Sequence, residues 1–387
     1  MNSPNHAQVL FVESYPQVIA GQQRTLLSLL SQWDSKLADA VVMTPGGGVY
    51  VDKLRSLDHL VWEFPQPARL SRYGGAIYDD GFVGKLRNGT QGVAYLRQLR
   101  KALQDKDVRA VFCNDMRGLL TVGVAARSLG IPVMIWDKLD KPHGWLDRIE
   151  LPLVNRVAII SEAVLSKFSS RQCQRYRDKI SLVPNGADLT QFDGVPADRA
   201  RFEISSDQIA IGLVGTVCHR KAQDRVLKIL PQLLQTLPNA VVLIAGSWTD
   251  SEEDRQYFES LPFRDHPQVR FLGQRSDIPT LMQSLDIFVL ASRYEGMGQV
   301  TAEAMACRLP VVGARAGGIP EVVVDGETGL IFDGDSPDHL LECLARLGSD
   351  ADLRKQMGNK GRLRVEREYN RPVQMQKICK LLEDLVH

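Results

Sequence analysis

Short apolar runs alternate with amphipathic stretches along nearly the whole chain, and the alternation falls into two series. In the first, residues 9–13, 41–43, 108–112, 133–136 and 157–160 read as buried strands, with Leu26, Leu27, Leu29, Leu30 and Trp33 forming a helical stripe after the first of them. The pattern pauses over residues 65–92, which are rich in Gly, Arg and aromatic side chains. Residues 180–183 close on Pro184-Asn185-Gly186, a turn signal. The second series runs 209–214, 241–245, 269–272, 287–290 and, just after Pro310, 311–313. Strands alternating with helices predict an α/β protein with doubly wound parallel sheets. Their repetition predicts two Rossmann-like domains with a linker near 185–200. The first domain is assigned to 1–190 and the second to 191–369, leaving a last helix, 370–387, with Met375, Ile378, Leu382 and Leu385 on one face.

One strand-to-helix junction carries the strongest chemical signal. The apolar run 286–292 leads into Glu295-Gly296-Met297-Gly298-Gln299-Val300-Thr301-Ala302-Glu303, and an Ala/Met-rich stretch, 301–307, continues as a helix stopped by Pro310. Two glycines let the backbone approach a ligand closely, and the free N–H groups of a helix's first turn seat phosphate. Glu295 and Glu303 flank that seat, the second read as lying in the helix's first turn. Carboxylates do not bind phosphate, so their partners are hydroxyls, which a nucleotide sugar presents on both sides of its diphosphate. The plainer alternative is a strand–loop–helix with solvated glutamates.

Composition removes rival classes. A chain of 387 residues exceeds one typical core. A net charge of +1 gives no global attraction to nucleic acid or membrane. The six cysteines are scattered without C-x-x-C spacing, which predicts free thiols in a reducing cytoplasm. The polar first six residues predict no secretory signal, and no apolar stretch approaches a membrane span. The expectation is a cytoplasmic protein that at most touches the inner membrane face. The seven His lack H-x-x-x-H pairing, so no metal site is expected. Gly212-Leu213-Val214-Gly215 does not fit a dinucleotide fingerprint, and no serine stands in G-x-S-x-G.

The Glu295–Glu303 spacing resembles the Glu-x7-Glu motif of retaining glycosyltransferases of the GT-B fold, in particular family 4, and further blocks follow in family order. Ala20-Gly21-Gln22-Gln23-Arg24 resembles the N-terminal glycine loop and its helix. Ile160-Ser161-Glu162-Ala163 and Val183-Pro184-Asn185-Gly186-Ala187-Asp188 resemble the "SEA" and "PNGxD" segments. Residues 214–224 are similar to the phosphate-binding loop, and Phe271-Leu272-Gly273-Gln274-Arg275 and Gly317-Gly318-Ile319-Pro320-Glu321 match further blocks. The resemblance implies a GT-B fold, two Rossmann-like domains facing across a cleft, with the last helix docked back onto the first. It implies a metal-independent, retaining transfer of a hexose from a nucleotide diphosphate, UDP more often than GDP, to an acceptor hydroxyl. No cofactor is implied beyond the nucleotide sugar as co-substrate. The acceptor would be a carbohydrate, a lipid-linked or small-molecule glycoconjugate, and nucleic acid is not a partner.

Residue by residue, the resemblance gives Lys221 and Glu295 to catalysis, with Arg220 as a second cation. Donor binding falls to Gly21, Gly215, Thr216, Arg275, Gly296, Met297, Gly298, Gln299, Val300, Thr301 and Glu303, the last holding the ribose. Arg275 either meets the base or pairs with Asp277. Two departures stand out. Thr216 occupies the place of the family's Arg, leaving the leaving group to Lys221. Where the family often carries a sugar-contacting His, this chain has Asp137 and Lys138, either of which takes that role, with His143 the nearest His. The first-domain change fits a different sugar or a weakened enzyme, and the missing Arg and His fit a catalytically silent sugar-nucleotide-binding or scaffold protein; an epimerase of the same fold is a further alternative. Residues 65–110 hold nine Arg/Lys against four Asp, with Tyr73 and Tyr78 interleaved. Arg69, Arg72 and Tyr73 are accordingly candidates for an anionic acceptor or membrane face, against the alternative of a solvated basic surface.

Overall fold

A computed structural model describes residues 7–67, 82–138, 142, 144–249 and 251–386, with 82–90 described in backbone only. Two parallel sheets form the frame. The first contains β1 (Gln8–Val12), β2 (Asp39–Thr44), β3 (Leu60–Glu63), β4 (Val108–Cys113), β5 (Val133–Asp137), β6 (Arg156–Ile159) and β7 (Ile180–Leu182), in spatial order β3-β2-β1-β4-β5-β6-β7. The second contains β8 (Ile209–Val214), β9 (Ala240–Ala245), β10 (Val269–Gly273), β11 (Ile287–Leu290), β12 (Val311–Ala314) and β13 (Gly329–Phe332), in order β10-β9-β8-β11-β12-β13. Both therefore reverse direction beside their first strand, at β1/β4 and at β8/β11, the points where such sheets open a crevice. The fold is the GT-B arrangement of two Rossmann-like domains.

The central strands read as continuous apolar runs because helices cover both faces; β9 is buried at every position. Two strands escape the sequence pattern, β3 and β13, and each is an edge of its sheet. Four residues of Leu-Val-Trp-Glu, none fully buried, give too short a signal, and pairing of residues 41–44 with 60–63 supplies what periodicity does not.

The chain crosses between domains twice, and the crossings lie side by side. Ala187 N–H donates to Tyr369 O (2.7 Å) and Arg371 N–H to Ala187 O (2.9 Å). Gly186 sits between them at φ +65, where a Cβ would come within 2.5 Å of Tyr369 O. The Pro-Asn-Gly turn is thus a crossover that needs glycine for both conformation and space. Beyond it, the Arg371–Val386 helix packs on the Gly21–Leu30 helix and β4 of the first domain. Among the described residues, no helix is long and apolar enough to cross a membrane.

Candidate active site

The carboxyl ends of both sheets open onto one cleft of about 620 Å³, lined by Gly21 and Arg24 on one side and by Gly215, Thr216, Lys221, Glu295, Gln299, Val300 and Glu303 on the other. On the second-domain wall, β8 ends at Gly215 (φ +149), and Gly246 packs so closely on Gly215 O that a side chain there would overlap it. The loop then returns Lys221 over Gly215, and Lys221 Nζ reaches Glu295 Oε2 at 2.5 Å. Arg220 approaches the same oxygen at 3.3 Å and Ser292 Oγ donates to it at 3.2 Å. Burial pushes the Glu295 carboxyl up, but Lys221 and then Arg220 outweigh it and hold it below its ordinary value.

Gly298, at φ +79, turns the chain from this loop into the Gln299–Ala306 helix. The helix starts two residues before the Ala/Met-rich stretch, so Glu303 lies two residues further in, at the start of the second turn. There it accepts from Gln299 Nε2 (2.8 Å) and faces Arg371 at 3.6 Å. The N–H groups of Gln299 and Val300 have no partner within the helix and stand at the cleft. Thr301 and Met297 are buried; Thr301 N–H and Oγ1 both donate to Gly298 O, which fixes the turn rather than facing the cleft. Arg275 lies outside the lining: it makes a two-pronged pair with Asp277, both contacts 2.7 Å, over the Phe202 ring.

At the carboxyl ends of β1, β4 and β5 lies a polar network that the sequence pattern did not single out. Glu13, directly after β1, is fully buried and accepts from Asn114 Nδ2 (2.7 Å), Gln23 Nε2 (3.0 Å) and Tyr15 N–H (2.9 Å). Gln22 Nε2 reaches Glu13 and, at 3.4 Å, Asp115. Burial, then the Asp115 charge, pushes the Glu13 carboxyl up. Lys138 Nζ donates to Asn114 Oδ1 and O and lies 4.6 Å over the Trp136 ring. Its burial brings the ammonium down to about 8, against the pull of Glu13, Asp115 and Asp137. Asp137 points the other way, into a buried ion pair with Lys167, which also lies 3.1 Å from Glu150. Of the two residues in the place of the family's His, Lys138 is therefore the one joined to the network around Glu13. The available signal was a polar residue immediately after an apolar strand, Val12-Glu13 and Cys113-Asn114-Asp115. Arg69, Arg72, Tyr73 and His143 lie outside the described residues. Among the described residues, no group of three His, Cys, Asp or Glu is placed to hold a metal.

The two walls touch through motif blocks far apart in sequence. Ser161 Oγ donates to Gly296 O, and Gly296 packs so tightly on Lys138 O that a Cβ would overlap it. Glu321 accepts the N–H groups of Glu162 (2.7 Å) and Ala163 (2.8 Å), capping the start of the Glu162–Lys167 turn of helix from the opposite domain. The Ser-Glu-Ala and Gly-Gly-Ile-Pro-Glu blocks are thus two halves of one domain contact. Glu321→Gln keeps one acceptor oxygen and replaces the other with a donor facing an N–H. It is expected to weaken the contact by about 1–3 kcal/mol, seen in X-ray scattering as a larger radius of gyration.

Residues 195–364 match the family model of glycosyl transferases group 1. The chain is 30% identical over 215 residues to the GDP-mannose-dependent monoacylated alpha-(1-6)-phosphatidylinositol monomannoside mannosyltransferase of Corynebacterium glutamicum, covering 52% of this chain and 55% of that protein. It is 26% identical to the GDP-mannose-dependent alpha-(1-6)-phosphatidylinositol monomannoside mannosyltransferase of Mycolicibacterium smegmatis, covering 68% of this chain and 74% of that one. The chain thus spans about half the length of the first relative and three quarters of the second. Among solved structures, Anabaena Alr3699/HepE in complex with UDP and glucose superposes with a TM-score of 0.77 at 19% identity, covering 98% of this chain and 100% of that one. The chain is thus similar to glycosyltransferases in its second domain and shares the GT-B fold with the solved structures.

Proposed function

We propose that this chain is a family 4, metal-independent, retaining hexosyltransferase that moves a hexose from a nucleoside diphosphate to an acceptor hydroxyl. The observation that carries the reading is the Lys221–Glu295 pair at the β8/β11 crevice, beside the free first-turn amides of Gln299 and Val300. In this reaction the bond from the anomeric carbon to the leaving phosphate oxygen breaks. The acceptor oxygen bonds to that carbon on the same face, and the acceptor proton passes to the departing phosphate. Lys221 stabilises the charge that grows on the diphosphate, Glu295 holds sugar hydroxyls, and Glu303 holds the ribose. Lys138 supplies the sugar contact from the opposite wall. UDP and GDP are both donors to test, since UDP is bound in the Anabaena structure and GDP-mannose is named for the mannosyltransferases. The acceptor is a carbohydrate or lipid-linked glycan, reached from solution or from the inner membrane face.

A thermal-shift screen against UDP- and GDP-sugars tests the donor site, because ligand at 100 times its Kd stabilises by about 2.7 kcal/mol. Glu303→Ala is expected to raise the donor Kd about tenfold, as a lost hydrogen bond to a charged group does, with a smaller change in turnover. An unchanged Kd would remove Glu303 from the ribose. Thr216 in place of an Arg favours one second reading, a sugar-nucleotide-binding protein without turnover; donor binding with no transfer across an acceptor panel would select it.

A further inference from the structure

The cations at the cleft other than Arg24 are already committed. Lys221 and Arg220 both lie on Glu295, and Arg371 donates to Gly186 O and faces Glu303 at 3.6 Å. Thr216 adds no charge. Around the cleft, Arg24, Lys221 and Arg371 are matched in number by Asp188, Glu295 and Glu303, so its lining is close to neutral without ligand. A diphosphate entering it meets two cations held by carboxylates.

Arg24 is different. It lines the cleft from the Gly21–Leu30 helix, its side chain is exposed, and among the described residues that side chain has no hydrogen bond or ion pair. Its place is bracketed from two sides. Gly21, three residues earlier and so on the same helix face, would put a Cβ 3.9 Å from Gln299 Oε1, at the start of the phosphate-facing helix. On the other side, Arg24 is near enough to Arg371 for their like charges to oppose each other. Arg24 therefore stands over the Gln299–Glu303 face of the second domain.

We propose that Arg24 binds the diphosphate of the donor across the cleft, supplying from the first domain the charge that Thr216 does not supply from the second. This rests on the reading of the cleft as a nucleotide-sugar site. A guanidinium presents paired donors matched to phosphate oxygens, and a free one gives up no existing ion pair to make the contact. Because Arg24 belongs to one domain and Lys221 to the other, the diphosphate then ties the two walls together.

The test is calorimetric titration of UDP and of GDP into the wild-type protein and into Arg24→Ala, Arg24→Gln, Arg24→Lys and Lys221→Ala. Whichever diphosphate the wild type binds should bind about tenfold more weakly to Arg24→Ala and Arg24→Gln. Arg24→Lys should recover part of that loss, which a role in helix packing would not predict. The ligand-free Arg24 variants should melt close to wild type, as substitutions at exposed positions do. Wild-type affinity in Arg24→Ala, alongside weakened binding in Lys221→Ala, would overturn the role of Arg24 and leave the donor site standing. Equal losses in Arg24→Lys and Arg24→Gln would also overturn it. Wild-type protein that binds neither diphosphate would overturn both the inference and the functional reading.

Discussion

Lys221→Ala is expected to lower the rate of donor turnover by about 100-fold or more, the usual effect of removing one fixed stabiliser of developing charge. Two losses act together. The leaving diphosphate loses the one second-domain cation that lines the cleft beside Gly215 and Thr216. Glu295 also loses its 2.5 Å partner and is left with Ser292 at 3.2 Å and Arg220 at 3.3 Å. The largest attraction holding that carboxylate below its ordinary value goes with Lys221, so burial is opposed less and its protonation becomes easier. The damage should therefore grow as pH falls towards the carboxylate range, because a protonated Glu295 is a poorer acceptor for sugar hydroxyls. Release of nucleoside diphosphate, followed against donor concentration and pH, measures both effects. A variant with near-normal kcat would dismiss Lys221 from the chemistry.

Lys167→Met should cost about 3–5 kcal/mol of stability, the range for removing one member of a buried ion pair. Lys167 and Glu150 have fully buried side chains, and Asp137 nearly so. Burial, then the Asp137 charge, pushes the Glu150 carboxyl up to about 9, which favours its neutral form. Asp137 and Lys167 then balance as one charge pair. Without Lys167 the Asp137 carboxylate keeps its desolvation cost and loses the attraction of that ammonium, at the end of β5 directly before Lys138. At roughly 2–4 °C per kcal/mol for a domain of this size, the melting temperature should fall by about 10 °C. Adding Asp137→Asn should restore part of it, since the stranded charge is then gone. A single variant that melts like wild type would show that the triad is not held as an ion pair in solution.

The alternation of elements and the crevice at β8/β11 were legible in the chain because they rest on local rules. A buried parallel strand must be apolar on both faces, and a strand-to-helix turn at a ligand needs glycine, as at Gly298 with its φ of +79. The edge strands β3 and β13 were not legible, since four residues carry little pattern of their own. Side-chain direction was the harder matter. Asp137 and Lys138 are neighbours with the same prospects in sequence, yet one turns to Lys167 in the core and the other to Asn114 at the end of β4.

By itself, then, the sequence determined two doubly wound domains and put Glu295, Gln299 and Glu303 in one loop-and-helix system. Those features follow from periodicity and from neighbours a few residues apart. Only the tertiary structure decided that Arg275 is taken up by Asp277, that Glu13 and Lys138 share a network, and that Glu321 caps a turn 159 residues away. Charges and hydrogen-bonding groups act over a few ångströms in space, whatever their separation along the chain. Which partner each one meets is therefore settled when the two sheets pack and their crevices face each other.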